Sequence, residues 1–369
     1  MRSIVLRAGW KVSRELHGGE GFMAAVWKAL SGAALAAGVL LAGAQPALSQ
    51  ALQIDYPYPP VIYGNDGAFL AGVQRMRIRH LLRGLDWRLS ARSSALRMDG
   101  APGVRAGITP AAGESDGPLG NGWTVWSMYA RSWMKDRRAA IANKGASDSL
   151  TLGIDRELGE RITAGVSLNY VHTSLDTLYN AGTSKTDGIT VSPYASIALT
   201  DWLTLEVTGG YVYNREKTWR TLPWSASGRR HSNGYMFGTS LSAAKWFDSV
   251  LLSAKVGLVA TRDRWKAYVE SDGTPHSARV NRLVQGSIEG SVSWWLDPVM
   301  PYATIAWTYD LSTNDPLLLD RDDVTFTGGI AWYGSGRWEG LTADLSGSVV
   351  VGRRKQRDGT VSVGLRWNF

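Results

Sequence analysis

The last ten residues, Thr360-Val-Ser-Val-Gly-Leu-Arg-Trp-Asn-Phe369, alternate without a break. Val361, Val363, Leu365, Trp367 and Phe369 fall on one face, and Thr360, Ser362, Gly364, Arg366 and Asn368 on the other. Side chains two apart share a face only in extended backbone, so this is a strand with one apolar side. The pattern recurs upstream. Ile189, Val191, Ala195 and Ile197 oppose Thr190, Ser192, Tyr194 and Ser196; Val250, Leu252, Ala254 and Val256 oppose Leu251, Ser253, Lys255 and Gly257; Leu341, Ala343, Leu345 and Val349 oppose Thr342, Asp344, Ser346 and Ser348. Glycine often sits on the polar face. A chain built this way must pair strands, and a set of strands with one apolar and one polar face is most stable closed on itself.

The composition then decides which face is outside. Hydrophobic residues make up 44% and charged ones 20% of the chain, near soluble averages. Beyond the N-terminus no stretch approaches ~20 consecutive apolar residues, which excludes a helical membrane protein. A barrel with apolar side chains toward lipid and polar ones toward a wet lumen keeps overall hydropathy near neutral. Charges inside the alternating runs test this arrangement. Glu206, Lys255, Glu289 and Asp344 all fall on the polar face, and Asp155 is expected there too. A basic residue facing lipid at mid-depth would cost ~2–4 kcal/mol, whereas in a wet lumen it costs little.

Connectors and tryptophans agree. Strands are expected at about 122–133, 148–157, 161–174, 187–199, 203–216, 231–245, 249–264, 280–296, 299–310, 323–333, 337–351 and 359–369. Every second gap is short, as at Gly159-Glu160 and Asp297-Pro298. The others are longer and polar: Met134–Asp148, Ser174–Thr186, Lys217–Arg230, Ala267–Arg279 and Leu311–Asp322. Outer-membrane barrels have short periplasmic turns and longer outside loops. Of the 17 Trp, Trp202, Trp246, Trp294, Trp295, Trp332, Trp338 and Trp367 lie beside short turns, and Trp133, Trp219 and Trp265 near long connectors, as two interfacial belts require. The reading is all-β: a twelve-stranded antiparallel transmembrane β-barrel over 122–369.

The N-terminal third has a different grammar. Residues 29–47 form an apolar run of small residues and leucines, preceded by Lys28 and by Arg2, Arg7, Lys11 and Arg14. With Ala47-Leu48-Ser49 after it, this reads as a secretory signal over 1–49, cleaved after Ser49 or Ala51; the alternative is a membrane anchor. The long leader leaves either Met1 or Met23 as the start. Segment 50–121 begins with the Pro- and Tyr-rich stretch 54–63, which cannot be helical. It continues with a helix-compatible basic stretch over 68–97 carrying Arg75, Arg77, Arg79, Arg83, Arg88, Arg92 and Arg97, and ends in a Gly-, Ala- and Pro-rich tether. Three readings of the basic stretch stay open. It is a plug helix in the lumen, pairing with Asp155, Glu206, Glu289 and Asp344; an amphipathic helix on a membrane surface; or a solvated linker. The plug is preferred, since ion pairs in a confined pore are less screened than at a surface.

A terminal Phe preceded by apolar residues at every second position resembles the signal by which outer-membrane barrels reach their assembly machinery; here it comprises Val361, Val363, Leu365, Trp367 and Phe369. The stretch Trp123–Arg220 is similar to the first half of the autotransporter β-domain. The similarity rests on Leu152-Gly153-Ile154-Asp155, the turn Glu157-Leu158-Gly159, Ala164-Gly165-Val166-Ser167-Leu168-Asn169-Tyr170, Tyr194-Ala195 and Gly209-Gly210-Tyr211. The resemblance implies a twelve-stranded translocator with a helix through its pore, carrying an N-terminal passenger to the surface of a Gram-negative cell. Only about seventy residues separate the signal from the barrel, so the passenger is expected to be rudimentary. Self-cleaving members carry an Asn-Asn pair in the pore helix; none occurs here, so no intrabarrel cleavage is expected.

Little in the chain points to chemistry. It has no cysteine, hence no disulfides and no thiol nucleophile, and it lacks serine-elbow, zinc-protease, phosphate-loop and dinucleotide motifs. Among its five histidines, His172, His231 and His276 lie near expected outer loops, with Asp176, Asp263 and Asp272 as candidate partners. No spacing singles them out, and no enzyme activity, metal or cofactor is expected. The net charge of +8 gathers in the outer connectors: Lys135, Arg137 and Arg138; Lys217, Arg220, Arg229 and Arg230; Arg353, Arg354, Lys355 and Arg357. These form a solvated face or meet lipopolysaccharide phosphates, for which arginine is suited. The expected partners are outer-membrane lipid, lipopolysaccharide and the assembly machinery, with the protein a monomer and no nucleic acid involved. A passive or ligand-specific channel is the alternative function, and a loop-based adhesin or hydrolase a third.

Overall fold

The computed structural model describes residues 73–85, 88, 122–314, 321–353 and 355–369. The expected signal peptide, the Pro- and Tyr-rich stretch, Arg92, Arg97, nearly all of the tether and Arg354 lie outside the described residues. Twelve strands close into an antiparallel barrel. They are β1 (Trp123–Asp136), β2 (Asn143–Leu158), β3 (Ile162–Thr177), β4 (Gly182–Ala198), β5 (Leu203–Arg220), β6 (Ala226–Phe247), β7 (Val250–Trp265), β10 (Arg279–Trp294), β11 (Val299–Thr313), β12 (Asp322–Tyr333), β13 (Leu341–Val351) and β14 (Gln356–Asn368). A two-stranded hairpin, β8 (Tyr268–Val269) with β9 (Pro275–His276), interrupts the order between β7 and β10. The barrel closes where β1 meets β14, from Thr124 opposite Asn368 to Asp136 opposite Gln356. Closure leaves no free edge, so every strand finds backbone partners on both sides.

Burial follows the alternation. In β14, Val363, Leu365 and Trp367 are 45%, 48% and 53% exposed, whereas Ser362 is fully buried and Arg366 nearly so. The inner face is mostly small and polar: Thr151, Ser167, Ser192, Asn214 and Ser232 are buried. Trp126 is the large exception. It needs the glycine across the ladder, because a Cβ on Gly153 would stand 2.2 Å from the indole ring.

Turns at one end are tight. Gly159 (φ +76°) and Asp248 (φ +51°) take left-handed conformations that reverse β2 into β3 and β6 into β7 within a few residues. At the other end the structure corrects the expected long loops. Most of Met134–Asp148, Ser174–Thr186 and Lys217–Arg230 is strand, and only 137–142, 178–181 and 221–225 separate the paired ladders. Lys135, Lys217, Arg229 and Arg230 are therefore strand residues, as are His172, His231 and His276. The cause is height. The 22 residues of β6 run roughly 75 Å at ~3.4 Å each, or near 57 Å along the axis at a tilt of ~40°. The apolar band of such barrels is only ~25 Å tall. Above it the outer face no longer meets lipid chains, so the ladder continues while hydrophobic alternation stops.

Candidate functional site

Residues 73–85 form a helix, α1, and Arg88 is helical as well. Leucine, methionine, arginine and glutamine favour helix, and nothing between Val73 and Leu85 breaks it except the tolerated Gly84. What distinguishes α1 is burial on all sides. Val73, Leu81 and Leu85 are buried, and so are Arg75 and Arg88, at 1% and 2% exposure. A Cβ on Gly84 would stand 3.5 Å from Thr151 and Trp126, an ordinary contact distance. Val73 and Met76 pack with Met134, Leu175 and Trp265; Ile78 with Val259 and Leu283; Leu81 and Leu85 with Trp126, Tyr194 and Met236.

A buried guanidinium is tolerable only with partners, and the strands supply them. Arg75 Nε donates to Asp310 Oδ2 at 3.0 Å. The guanidinium of Arg79 reaches Asp323 at 2.6 Å and Asp358 at 2.8 Å. Arg83 donates to Ser348 Oγ at 2.5 Å. Arg88 grips Asp155 with two donors, Nε at 2.8 Å to Oδ2 and a terminal nitrogen to Oδ1. Gln74 donates to Thr261 at 2.7 Å, and His80 shares a hydrogen bond with Ser132 at 2.5 Å. Arg77 is half-buried, within electrostatic reach of Asp263 and Glu216.

The five acids and bases named from sequence are differently employed. Asp155 is the hub of a buried chain: Trp126 Nε1 donates to Tyr194 at 2.7 Å, and the Tyr194 hydroxyl donates to Asp155 at 2.6 Å. Glu206 meets no arginine of α1; it accepts from Lys255 Nζ at 2.5 Å and Ser240 Oγ at 2.7 Å. Glu289 lies opposite Lys255 across the β7–β10 ladder. Asp344 accepts from the Tyr302 hydroxyl at 3.0 Å. Apart from Asp155, then, the acids that form ion pairs with α1 include Asp310, Asp323 and Asp358. Sequence did carry a signal for Asp310, which shares the parity of the polar residues Tyr302, Thr304 and Thr308. A cavity of ≈ 340 Å³ lies beside the helix, lined among others by Met76, Leu82, Met300, Tyr302, Ser291 and Asp344.

Several cations assigned to the outer surface turn out to be internal. Arg353 bridges Asp323 at 2.9 Å and Asp310 at 3.3 Å. Arg220 pairs with Glu270 and Asp272, both at 2.7 Å. Arg230 pairs with Glu216, and Arg138 with Asp136 at 2.6 Å. The histidines find other acids than those expected: His172 meets Asp187 at 2.8 Å, and His276 meets Glu270 at 3.4 Å. Asp187 and His172 are both well exposed, and Asp187 also accepts from the Tyr170 hydroxyl at 2.9 Å. Among the described residues no group of three or more His, Asp or Glu could hold a metal ion. On the outer face of β14, Val361, Val363, Leu365 and Trp367 form one exposed stripe, ending in Phe369 stacked on Trp367 with ring centroids 5.4 Å apart.

Comparison with known proteins gives the family. The model of the autotransporter β-domain matches residues 125–328. No curated protein matches the chain. Among solved structures, the translocator domain of the autotransporter NalP from Neisseria meningitidis is 16% identical, with 84% of this chain and 100% of that one covered and a TM-score of 0.65. The β-domain of the Bordetella autotransporter Brka is 17% identical, covers 68% and 100%, and has a TM-score of 0.58. The transport unit of AIDA-I from Escherichia coli is 14% identical, covers 76% and 99%, and has a TM-score of 0.52. With its twelve-stranded closed barrel and a family match over more than half its length, the chain belongs to the autotransporter β-domain family and is a translocator barrel of the Gram-negative outer membrane.

Proposed function

We propose that this barrel threads its N-terminal segment to the cell surface and then keeps α1 in the lumen as a plug. The observation that carries the reading is the polarity of the ion pairs. Asp310, Asp323 and Asp358, partners of Arg75 and Arg79, stand at strand ends next to the outer connectors. Asp155, partner of Arg88, stands three residues from the tight turn that ends β2. Followed toward its N-terminus, the helix climbs from the periplasmic side to the outside, the direction that export of an N-terminal segment requires. Burial of Arg75 and Arg88 favours the plug over a helix on a membrane surface, where arginines keep their head groups in water.

On this reading residues 1–49 are a cleaved signal, 50–121 the exported segment with its tether, and the stripe Val361–Phe369 the assembly signal. The protein acts without enzymatic chemistry, as a monomer, with lipopolysaccharide around its outer rim. The test is an epitope tag inserted after Ala51 and protease added to intact cells. Loss of the tag without permeabilisation is the expected result; loss only after permeabilisation sinks the translocator reading. The ≈ 340 Å³ cavity beside α1 favours a second, subordinate role as a narrow channel. Steady single-channel current in planar bilayers, enlarged by Arg88→Ala, is its signature.

A further inference from the structure

Inward-pointing cations of the outer rim such as Arg220, Arg230 and Arg353 are paired, whereas three lines of outward-pointing ones are not. Lys185, Lys217 and Arg229 stand directly opposite one another across β4, β5 and β6. Arg262 and Arg282 do the same across β7 and β10, with Arg264 two residues further along. A third line joins Arg357, Lys135 and Lys144 across β14, β1 and β2, and ends on Asp176. All of these cations are exposed, and none forms an ion pair with a described residue. Side chains directly opposite in an antiparallel ladder have Cβ atoms only ~5 Å apart, and like charges in that position destabilise the sheet. Three such lines on one rim call for an external anion.

Height and neighbours identify it. Lys135, Arg262, Arg282 and Arg357 each sit about twelve residues from the turn end of their strands, which is roughly 31 Å up the barrel at ~3.4 Å per residue and ~40° tilt. That is just above the ~25 Å apolar band. Below the first line come Asp187, Arg215 and His231 in register, and below these the exposed side chains of Ile189, Tyr213, Tyr211 and Phe237, with Tyr235 directly opposite Arg262. Cations in register above a lipid-facing aromatic belt meet the phosphates of a lipid whose chains cover that belt. We infer that these lines form a collar for the phosphate groups of lipid A in the outer leaflet. The inference rests on the proposed contact with lipopolysaccharide and assigns its residues: Lys185, Lys217, Arg229, Arg262 and Arg282, rather than Arg138, Arg220, Arg230 and Arg353, whose charges are used inside.

The experiment uses protein purified from outer membranes into zwitterionic micelles, with the thermal midpoint read from heat-dependent gel mobility. Lipid A, dephosphorylated lipid A and inorganic phosphate are titrated in turn. Lipid A should raise the midpoint of the wild type, and the other two should not. Combining K185Q, K217Q and R229Q with R262Q and R282Q should weaken the apparent affinity by at least about tenfold, while R262K/R282K keeps it. Without lipid A the same neutral variant should melt no lower than wild type, since it loses only repulsion. The pair R262Q/R282Q alone carries the same sign should the larger variant not assemble. Undiminished lipid A binding by either neutral variant overturns the assignment. So does an equal shift with the dephosphorylated lipid, which makes the contact purely apolar, or with inorganic phosphate, which makes it a free-anion site. Failure of the barrel reading is separate: it appears as a wild type whose gel mobility does not change with heat.

Discussion

Arg229 and Arg230 are neighbours in β6, yet the barrel uses them differently. Arg230 points inward, is 7% exposed, pairs with Glu216 and lies over the rings of Trp265 and Tyr268 at 5.0 and 5.4 Å. Arg229 points outward, is exposed, and has Lys217 across the ladder. One step along a strand exchanges a dry interior for a lipid headgroup region, because side chains alternate between faces. The interior resembles the core of a soluble protein in one respect: Arg75, Arg79, Arg88, Arg220, Arg230 and Arg353 each meet a carboxylate of the fold. The outward cation lines through Lys217 and Arg262 lack such partners, and their charges are directed at something outside the chain. Breaking an inward pair should therefore cost stability in any solvent, whereas removing an outward cation should matter only when an anionic lipid is present.

The largest effect is expected where an inward pair is driest. Asp155 is fully buried and holds both Arg88 and Tyr194. Asp155→Asn keeps the shape but strands a buried guanidinium, which costs about 3–5 kcal/mol. Urea titration of the refolded barrel in lipid vesicles should show that loss. A cost below about 1 kcal/mol would mean that water reaches Arg88 and that the interior is no drier than the rim.

The next effect is smaller because the pair is wetter. Lys255 and Glu206 meet at 2.5 Å, but the lysine retains 13% side-chain exposure beside the cavity. Lys255→Met removes a charge-assisted hydrogen bond and leaves Glu206 with Ser240, for an expected loss of about 1.5–3 kcal/mol in the same titration. A value equal to that for Asp155→Asn would erase the gradient from dry to wet inside the barrel.

How much of this could be read from the chain depends on which solvent each residue meets. Within the membrane band, lipid on one side and polar interior on the other impose alternation, so β13 and β14 were legible. Above the band that contrast vanishes. The strand ends carrying Lys135, Lys217 and Arg229 therefore read as loops, and one basic cluster hid two populations of opposite orientation. The helix arginines were legible as cations in need of acids. That Asp310, Asp323 and Asp358 would be among those acids was not, because it depends on the height and rotation of α1, which no local pattern encodes. His80 and Trp126 were overlooked for a related reason: each is defined by what packs against it across the barrel.

The smallest expected effect tests the rim itself. Arg229→Gln removes a cation with no acid partner, so in vesicles of zwitterionic lipid the stability should change by no more than about 0.5 kcal/mol. Its sign should be favourable, since Lys217 loses a like-charged neighbour. Raising the salt concentration screens that repulsion in the wild type, so the small advantage of the variant should shrink as salt rises. In vesicles carrying lipid A the order should reverse, with wild type the more stable. A clear loss of stability for Arg229→Gln without any anionic lipid would show that Arg229 is held by the fold as Arg230 is, and the distinction between the two faces of β6 would fall.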